Sequence, residues 1–588
     1  MATNDATALT KAAIDSGNLL LAYDTAVSAL SDGDTSIELR HLMVLALARM
    51  GNGEQALELF HQYGLDSSPD AHHRAIAARI LKDAALATVE EAERKSALQE
   101  AYKAYRQIFE DSGDAYPGIN AASLAFLGGL AEEAQKIVES ILQIPAIGHP
   151  GNYYDLATKA EAYLIAGRFE EAAATLSDAG AMKDANAGAR ASSFKQLKLV
   201  GHEAGLDREA IDQLLAPISP PMVIHYCGHM FLEGVEAEAR LRAAVDDYLS
   251  RNDVGYAYGA LASGADILIA EAVLARGGEL NVVLPFIQED FIAQSIVPAG
   301  EGWLKRFEAC MQQANSVNYA TEMHYVGDPD QFGYASKVSM GMARLRAQYL
   351  GKPARQLAIW DGVDSSGPAG TGADVAAWKA FGGETHSVDA GDIDRNLSGS
   401  QNPDDDLHKR TVAAILFTDF PGFSKLAETA LPVFWNGVMG NMATVLEKYP
   451  GQILAQNSWG DALLAVTPDA PCAASLALEL HSSLRDFDYA SLGMAKSGGM
   501  RIAIHYGPAY EIRDPITQKT TLYGTEVSRA ARIEPVTPPG AVFVTEPFAA
   551  VLALEAPDRY RCRYVGKIEF AKGYGTYPIY QLTDRNRN

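Results

Sequence analysis

Two aspartates stand where an apolar strand gives way to a turn. Asp419 closes the run AAILFTD and is followed by FPGFSKL, a turn and a helix start. Asp461 follows the Ser458-Trp459-Gly460 turn inside GQILAQNSWGDALLAV, which reads as a hairpin of two apolar strands. A carboxylate at a strand end suits a divalent cation, and the amides of Phe420, Gly422, Phe423 and Ser424 can reach phosphate oxygens beside it. The two aspartates are 42 residues apart in sequence. Adjacent strands bring such a pair to one edge of a sheet, where two carboxylates can hold two divalent ions, activate a hydroxyl and neutralise a polyphosphate. Further along, LYGTEVSRAARIE turns at Gly524 and enters a helix on which Ser528 and Arg532 are i and i+4, so they share a face. An arginine there can stabilise charge on a reacting phosphate. EFAKGYGTYPIYQL sets Lys572 before a Gly-rich turn and a closing strand, a place suited to a terminal phosphate.

These groups need a sheet to hold them. RIAIHYGPAYEI alternates as a half-buried strand with a Gly-Pro break. Upstream, residues 387–408 (VDAGDIDRNLSGSQNPDDDLHK) are polar, acidic and unpatterned, and read as a linker. Residues 219–386 alternate strands with helices, which predicts an α/β domain with a mostly parallel sheet. PMVIHYCG is a buried strand ending in glycine, and GALASGADILIAEAVLARGGELNVVLPF reads as turn, helix, glycine and strand. RQLAIWDGVDSSGPAGTGADVAAWKAFG is a strand, a Gly-rich loop and a helix. Gly-rich loops at the carboxyl ends of parallel strands are where phosphates and nucleotides bind.

Residues 1–217 predict helices throughout. A glycine followed five residues later by an alanine recurs as Gly17–Ala22, Gly51–Ala56, Gly129–Ala134, Gly167–Ala172 and Gly205–Ala210. The first two glycines are 34 residues apart and the last steps are 38 each. Glycine ends one helix, and the small alanine lets the next pack closely. The period resembles degenerate tetratricopeptide-type hairpins, which offer a concave surface for a protein partner or self-assembly.

Two further resemblances add expectations. GA-x-SGAD…E…GG…VVLPF followed by GPAGTG resembles the Rossmann-like nucleotide-sensing superfamily of DNA-processing and LOG-type proteins. It implies a regulatory pocket for a nucleotide-like ligand lined by Gly228, Ser263, Gly264, Asp266, Glu271, Gly370 and Thr371. The ordered set FTDFPGFS, WGDALLAV, RIAIHYGP, GTEVSRAARIE and AKG is similar to the class III adenylyl/guanylyl cyclase domain over residues 409–588. That resemblance implies an α+β, ferredoxin-like fold that turns a nucleoside triphosphate into a 3′,5′-cyclic nucleotide and pyrophosphate. Asp419 and Asp461 are then ligands of two Mg²⁺ or Mn²⁺ ions, Arg532 the transition-state residue and Lys572 the triphosphate contact. In the family the site is completed across a head-to-tail dimer, so a homodimer or higher homo-oligomer is expected. The sequence departs from the family at the ribose asparagine, which is Ser528. The base readers correspond to Asn457 and Thr521. Asn457 is both donor and acceptor, so adenine, guanine and a pyrimidine all stay open. Thr521 fits the adenylyl pattern, which favours ATP. A catalytically silent nucleotide-sensing scaffold is the alternative from another class.

The chain has 588 residues, 48% apolar and 21% charged, and a formal net charge of −25. Its length calls for several domains: an all-α repeat domain, a Rossmann-like α/β domain, a linker and the α+β domain. The negative charge argues against nucleic acid or an anionic membrane as partner. Four scattered cysteines, no basic-then-apolar leader and no long apolar run lead to the expectation of a cytoplasmic protein without a membrane span.

Overall fold

The computed structural model describes residues 3–88, 90–363, 367–397, 410–485, 487–492 and 499–585. The chain divides into two compact units, Met1–Pro220 with Gln348–Lys352, and Pro221–Ala347 with Pro353–Asn588. Among the described residues no helix is long and apolar enough to cross a membrane. The four cysteines are free thiols.

The first unit is built of helical hairpins: α1 (Thr3–Asp15) with α2 (Leu19–Ser31), α3 (Ile37–Arg49) with α4 (Gly53–Gln62), and α5 (Ala71–Ala87) with α6 (Glu91–Ser112). Then come α7 (Ala115–Leu127) with α8 (Ala131–Leu142), a single turn α9 (Pro145–Gly148), α10 (Tyr153–Ile165) with α11 (Phe169–Gly180), and α12 (Ala187–Glu203) with α13 (Arg208–Leu215). The recurring glycines do what their spacing predicted. Gly51 and Gly167, for instance, take φ of 82° and 73°, left-handed values that terminate a helix at little cost only for glycine. Ala22, Ala56, Ala134 and Ala172 are completely buried, where no larger side chain fits between the paired helices.

The repeats curl far enough for α1 to meet α12. A Cβ on Gly188 would stand 2.1 Å from the Ile14 carbonyl oxygen, so this contact is backbone to backbone. Alanine ordinarily stabilises a helix interior over glycine by about 1 kcal/mol. At residue 188 the extra methyl has no room, and Gly188→Ala is expected to cost about 1–3 kcal/mol instead. A thermal melt in which this variant equals or exceeds the wild type would show that the closure is loose.

The second unit holds two sheets. The first is six-stranded and parallel, in the order β4-β3-β2-β1-β5-β6. Its strands are β1 (Met222–Gly228), β2 (Val254–Gly259), β3 (Glu279–Leu284), β4 (Ser316–Tyr319), β5 (Arg355–Trp360) and β6 (Thr385–Asp389). The helices are α14 (Val235–Arg251), α15 (Ala265–Ala275), α16 (Gln288–Ser295), α17 (Glu301–Gln313), α18 (Asp330–Leu350) and α19 (Thr371–Ala380). The strand order reverses between β1 and β5, which opens a crevice at their carboxyl ends. Here the structure corrects one boundary. Residues 387–389, read as linker, complete β6, and the chain after it is held by Leu232 N–H on Asp394 O at 2.8 Å and by Arg395 on Asp361 at 2.9 Å. The rest of the expected linker, residues 398–408, lies outside the described residues.

The second sheet is eight-stranded and mixed, in the order β13-β14-β12-β10-β7-β9-β8, with β11 on β10. Its strands are β7 (Arg410–Asp419), β8 (Ala455–Trp459), β9 (Ala462–Thr467), β10 (Arg501–Arg513), β11 (Thr520–Tyr523), β12 (Val542–Thr545), β13 (Tyr560–Glu569) and β14 (Thr576–Asp584). The helices are α20 (Leu431–Phe434), which passes through a π-turn into α21 (Gly440–Leu446), then α22 (Ala470–Ser483), α23 (Thr525–Ile533) and α24 (Glu546–Glu555). β10 differs from its sequence reading. It lies between β7 and β12, is buried from Ile502 to Ala509, and runs unbroken through Gly507-Pro508 opposite Ala413 and Val412. Covering both faces removes the solvent side that the alternation implied.

Candidate active site

Antiparallel pairing of β7 with β9 sets Thr418 opposite Leu463, and so carries Asp419 and Asp461 to one end of the sheet. The Phe420 N–H donates to Asp461 Oδ2 at 3.2 Å, tying the turn after β7 to the hairpin. Burial, and then the Asp419 charge beside it, push the Asp461 carboxyl up to about 6. Among the described residues no lysine or arginine pairs with either aspartate. None adds a third carboxylate, histidine or cysteine ligand to make a closed cage either. Two uncompensated carboxylates with open positions fit Mg²⁺ or Mn²⁺, which keep water ligands and take further oxygens from a polyphosphate.

The turn itself departs from the expected helix start. Phe423 N–H donates to Phe420 O at 3.1 Å and forms a single 3-10 turn, and the α-helix begins only at Leu431. The amides of Phe420 and Phe423 are therefore engaged inside the protein. Those of Gly422 and Ser424 remain the candidates for phosphate. Glu534, which the sequence reading missed, lies near the aspartates. Burial and then the Asp419 charge raise its carboxyl to about 7, although Arg501 stands 3.5 Å away. Its signal was an acid two residues beyond Arg532.

Gly524, at φ 130°, admits the chain to α23, which presents exposed Ser528 and half-buried Arg532. Lys572 is exposed at the tip of the β13–β14 hairpin, at φ 64°. Among the described residues neither Arg532 nor Lys572 forms an ion pair with Asp419 or Asp461 of the same chain. Asn457 is exposed on edge strand β8, and Thr521 sits on β11, which lies against β8.

Beneath α23 runs a buried charged network. His505 Nε2 is 2.7 Å from Glu526 Oε2, and both side chains are fully buried. Burial holds the imidazole below its ordinary value. Burial opposes the charge on Glu526, but His505 and Arg529 outweigh it and keep the carboxyl low. Arg529 lies 3.6 Å from Glu526 and 3.0 Å from Glu322, which comes from the loop after β4. Tyr577 donates to Glu322 at 3.1 Å.

The crevice of the parallel sheet encloses about 760 Å³, lined among others by Gly228, Asp266, Gly370 and Thr371. Three expected lining residues lie elsewhere. Glu271 is held by Arg306 through two contacts of 2.8 Å. Ser263 bonds through its N–H to Ser295 O at 2.9 Å. Gly264 packs where a Cβ would meet His229 O at 2.8 Å, so it is glycine to let α15 approach the loop after β1. Asp374, in the GTGAD start of α19, lines the cavity but was not singled out. Burial raises Asp266 to about 8 and Asp374 to about 7. The folded chain thus keeps on Asp374 a proton that the unfolded chain releases near 3.8. Stability falls as pH rises through that window and stays low above it. Asp374→Asn is expected to stabilise by about 1–3 kcal/mol near pH 8, a gain that fades toward pH 4. Melts showing no gain near pH 8 would mean that water reaches the carboxyl.

Comparison with known proteins bears on both ends of the chain. Residues 407–584 match the adenylate and guanylate cyclase catalytic domain, and residues 19–125 match the tetratricopeptide repeats-sensor family. No curated protein matches the chain. Among solved structures it is similar to the adenylyl cyclase CyaB from P. aeruginosa, at 22% identity over 30% of this chain and 95% of that one, TM-score 0.27. It is also similar to the guanylate cyclase domain of RhGC from Catenaria anguillulae in complex with GTP, at 21% identity over 30% and 99%, TM-score 0.26. A chain of the adenylate cyclases from Trypanosoma brucei is 20% identical over 29% and 87%, TM-score 0.24. The protein therefore carries a class III adenylyl/guanylyl cyclase catalytic domain over residues 407–584, together with tetratricopeptide-type sensor repeats in its helical unit.

Proposed function

We propose that the protein converts a nucleoside triphosphate, with ATP favoured, to a 3′,5′-cyclic nucleotide and pyrophosphate at a site shared by two copies of the chain. The observation that carries this reading is the pair Asp419–Asp461, brought together by β7 and β9 with no cation of the described residues paired to either. Asp419 and Asp461 would hold the divalent ions. When bound, these supply Lewis acidity toward the ribose 3′-hydroxyl and the triphosphate. The 3′-oxygen attacks the α-phosphorus, the bond to the bridging oxygen breaks, pyrophosphate leaves and the hydroxyl proton passes to water. Arg532 stabilises charge on the α-phosphate, Ser528 orients the ribose, and Lys572 binds the terminal phosphates. Asn457 and Thr521 face the base, and the preference for ATP rests on Thr521.

Sharing between copies is supported by Arg532 and Lys572, which among the described residues form no ion pair with the aspartates of their own chain. Exposed apolar groups on the same domain also favour a partner copy. Ile516, at the tip of the β10–β11 hairpin, is 90% exposed, and Trp435 and Trp459 are about half exposed. Purified protein incubated with Mn²⁺ and each of ATP, GTP, CTP and UTP, with products identified by mass spectrometry, tests the reading. One cyclic product fixes reaction and base together. No product from any of them, with the protein folded and dimeric, would favour the silent scaffold.

Regulation by the parallel-sheet domain belongs to the same proposal. A nucleotide-like ligand in its cavity would set hydroxyl or amino donors on Asp266 and Asp374, and its phosphates at Gly370–Thr371 and Arg395. The coupling element is α18. Phe332, Ser336 and Ser339 line the cavity on one side. On the other, Tyr334 Oη donates to Tyr506 O at 2.7 Å, Arg344 to Leu554 O at 3.0 Å, and Lys337 pairs with Glu555 at 3.3 Å. Gly341 lets α18 and α24 touch backbone to backbone, since a Cβ there would stand 2.0 Å from Ala550 O.

A further inference from the structure

The first helix of each hairpin faces the inside of the helical unit. Helices α1, α3, α5, α7, α10 and α12 line a cavity of about 270 Å³, together with Leu19 of α2 and with Tyr349 and Leu350 at the end of α18; α1 meets α12 at one side of it. Its wall carries four cations, Arg49 from α3, Arg79 and Lys82 from α5, and Lys195 from α12. Two carboxyl groups share the wall. Asp83 stands 3.6 Å from Arg79. Glu161 accepts from Ser123 and, at 2.8 Å, from Gln196, and its burial pushes the carboxyl up toward the neutral form.

No carboxylate of the described residues closes on the other cations at ion-pair distance, although Asp15 lies near Arg49 and Asp83 near Lys82 and Lys195. Among the described residues Arg49, Lys82 and Lys195 form no ion pair. Lys82, only 7% exposed, donates to neutral amide oxygens, Asn120 Oδ1 at 2.8 Å and Gln196 Oε1 at 3.3 Å. Lys195 donates to the Tyr349 carbonyl at 2.6 Å. The Nε atoms of Arg49 and Arg79 are buried without a hydrogen-bond partner. Burial, and then the Arg79 charge, push Lys82 down to about 8. A buried cation without a carboxylate is destabilising, and guanidinium N–H groups left open are strong donors for a planar or tetrahedral oxyanion. The rest of the chain makes the cluster conspicuous, because the protein as a whole carries a formal charge of −25. The volume is below that of a typical drug-sized site, which calls for a compact ligand.

We infer that this cavity binds a small multivalent anion, a phosphorylated or polycarboxylated molecule, in a one-to-one ratio with the chain. Arg49 and Arg79 offer guanidinium forks, Lys82 and Lys195 point charges, and Tyr116 and Tyr154 flank the ligand. The inference does not depend on the cyclase reading.

Calorimetry on the full chain in EDTA, with inorganic phosphate, pyrophosphate and citrate as separate titrants, tests it. Saturable binding of at least one of them is expected, weakened about tenfold or more in Arg49→Gln and in Lys195→Gln. The phosphate and citrate arms tell a phosphorylated ligand from a carboxylate one. Lys195 is exposed, so its replacement leaves the core intact if Arg49→Gln fails to fold. The bound anion should also raise the melting temperature of the wild type and not that of Lys195→Gln. Binding lost in Lys572→Ala but kept in the cavity variants would place the anion at the cyclase site and overturn the inference. Failure of all three titrants to bind saturably would overturn it too.

Discussion

Asp419→Ala is expected to abolish cyclic nucleotide formation, by about a thousandfold or more, while the protein stays folded. The side chain is half-buried beside Asp461, whose carboxyl is raised by burial and then by the Asp419 charge, and no cation of the described residues pairs with either. Removing one lowers the charge density that holds divalent ions and relieves repulsion, so stability should hold or rise. Arg532→Ala should be similarly inactive for a different reason, loss of charge stabilisation on the reacting phosphate. Mixing the two inactive proteins is the sharper measurement. If the aspartates of one copy work with the arginine of another, each mixed dimer carries one intact site of two. Random pairing then restores about a quarter of wild-type activity. A mixture as inactive as its parts would place both groups in one chain's own site.

Arg529→Met is expected to destabilise the protein by about 3–5 kcal/mol, the usual result of leaving a buried charge without its partner. The orphan is Glu526, fully buried against His505. Survivors should show a several-fold lower kcat with little change in KM, because α23 carries Ser528 and Arg532 and its seating is loosened rather than its contacts removed. Glu322→Gln separates seating from stability. Its side chain is half exposed, so the melting temperature should barely move, while the bond to Arg529 loses its charge assistance. A kcat lowered in Glu322→Gln at unchanged stability marks Glu322 as a positioning residue acting through α23. Wild-type kcat in both variants would leave the network purely structural.

How far the sequence reached depended on distance along the chain. The hairpin between Asn457 and Asp461 was legible because a turn sits between two apolar runs. Its strand pairs with β7 for the ordinary reason that sequential apolar strands share a sheet, so Asp419 and Asp461 could be placed together. The helix bearing Ser528 and Arg532 was legible from Gly524 and a period of 3.6. β10 was misjudged because alternation in RIAIHYGPAYEI reflects small and large residues between two neighbouring layers, not solvent on one face. Glu271 was misassigned because an acid in a motif looks the same whether it faces a ligand or Arg306.

By itself the sequence determined local matters: the left-handed glycines that end each repeat helix, the alternation of strands and helices around residues 222–389, and the carboxylates at strand ends. Those depend on neighbours within one or two turns, whose propensities are written in adjacent residues. Only the tertiary structure decided that Gly188 meets Ile14 to close the ring, that Phe420 N–H goes to Asp461, and that Glu322 reaches Arg529 across 207 positions. No local preference encodes such pairs. They arise when separately folded layers bury one another's faces, and burial then turns an ordinary acid, lysine or arginine into one whose charge must be answered.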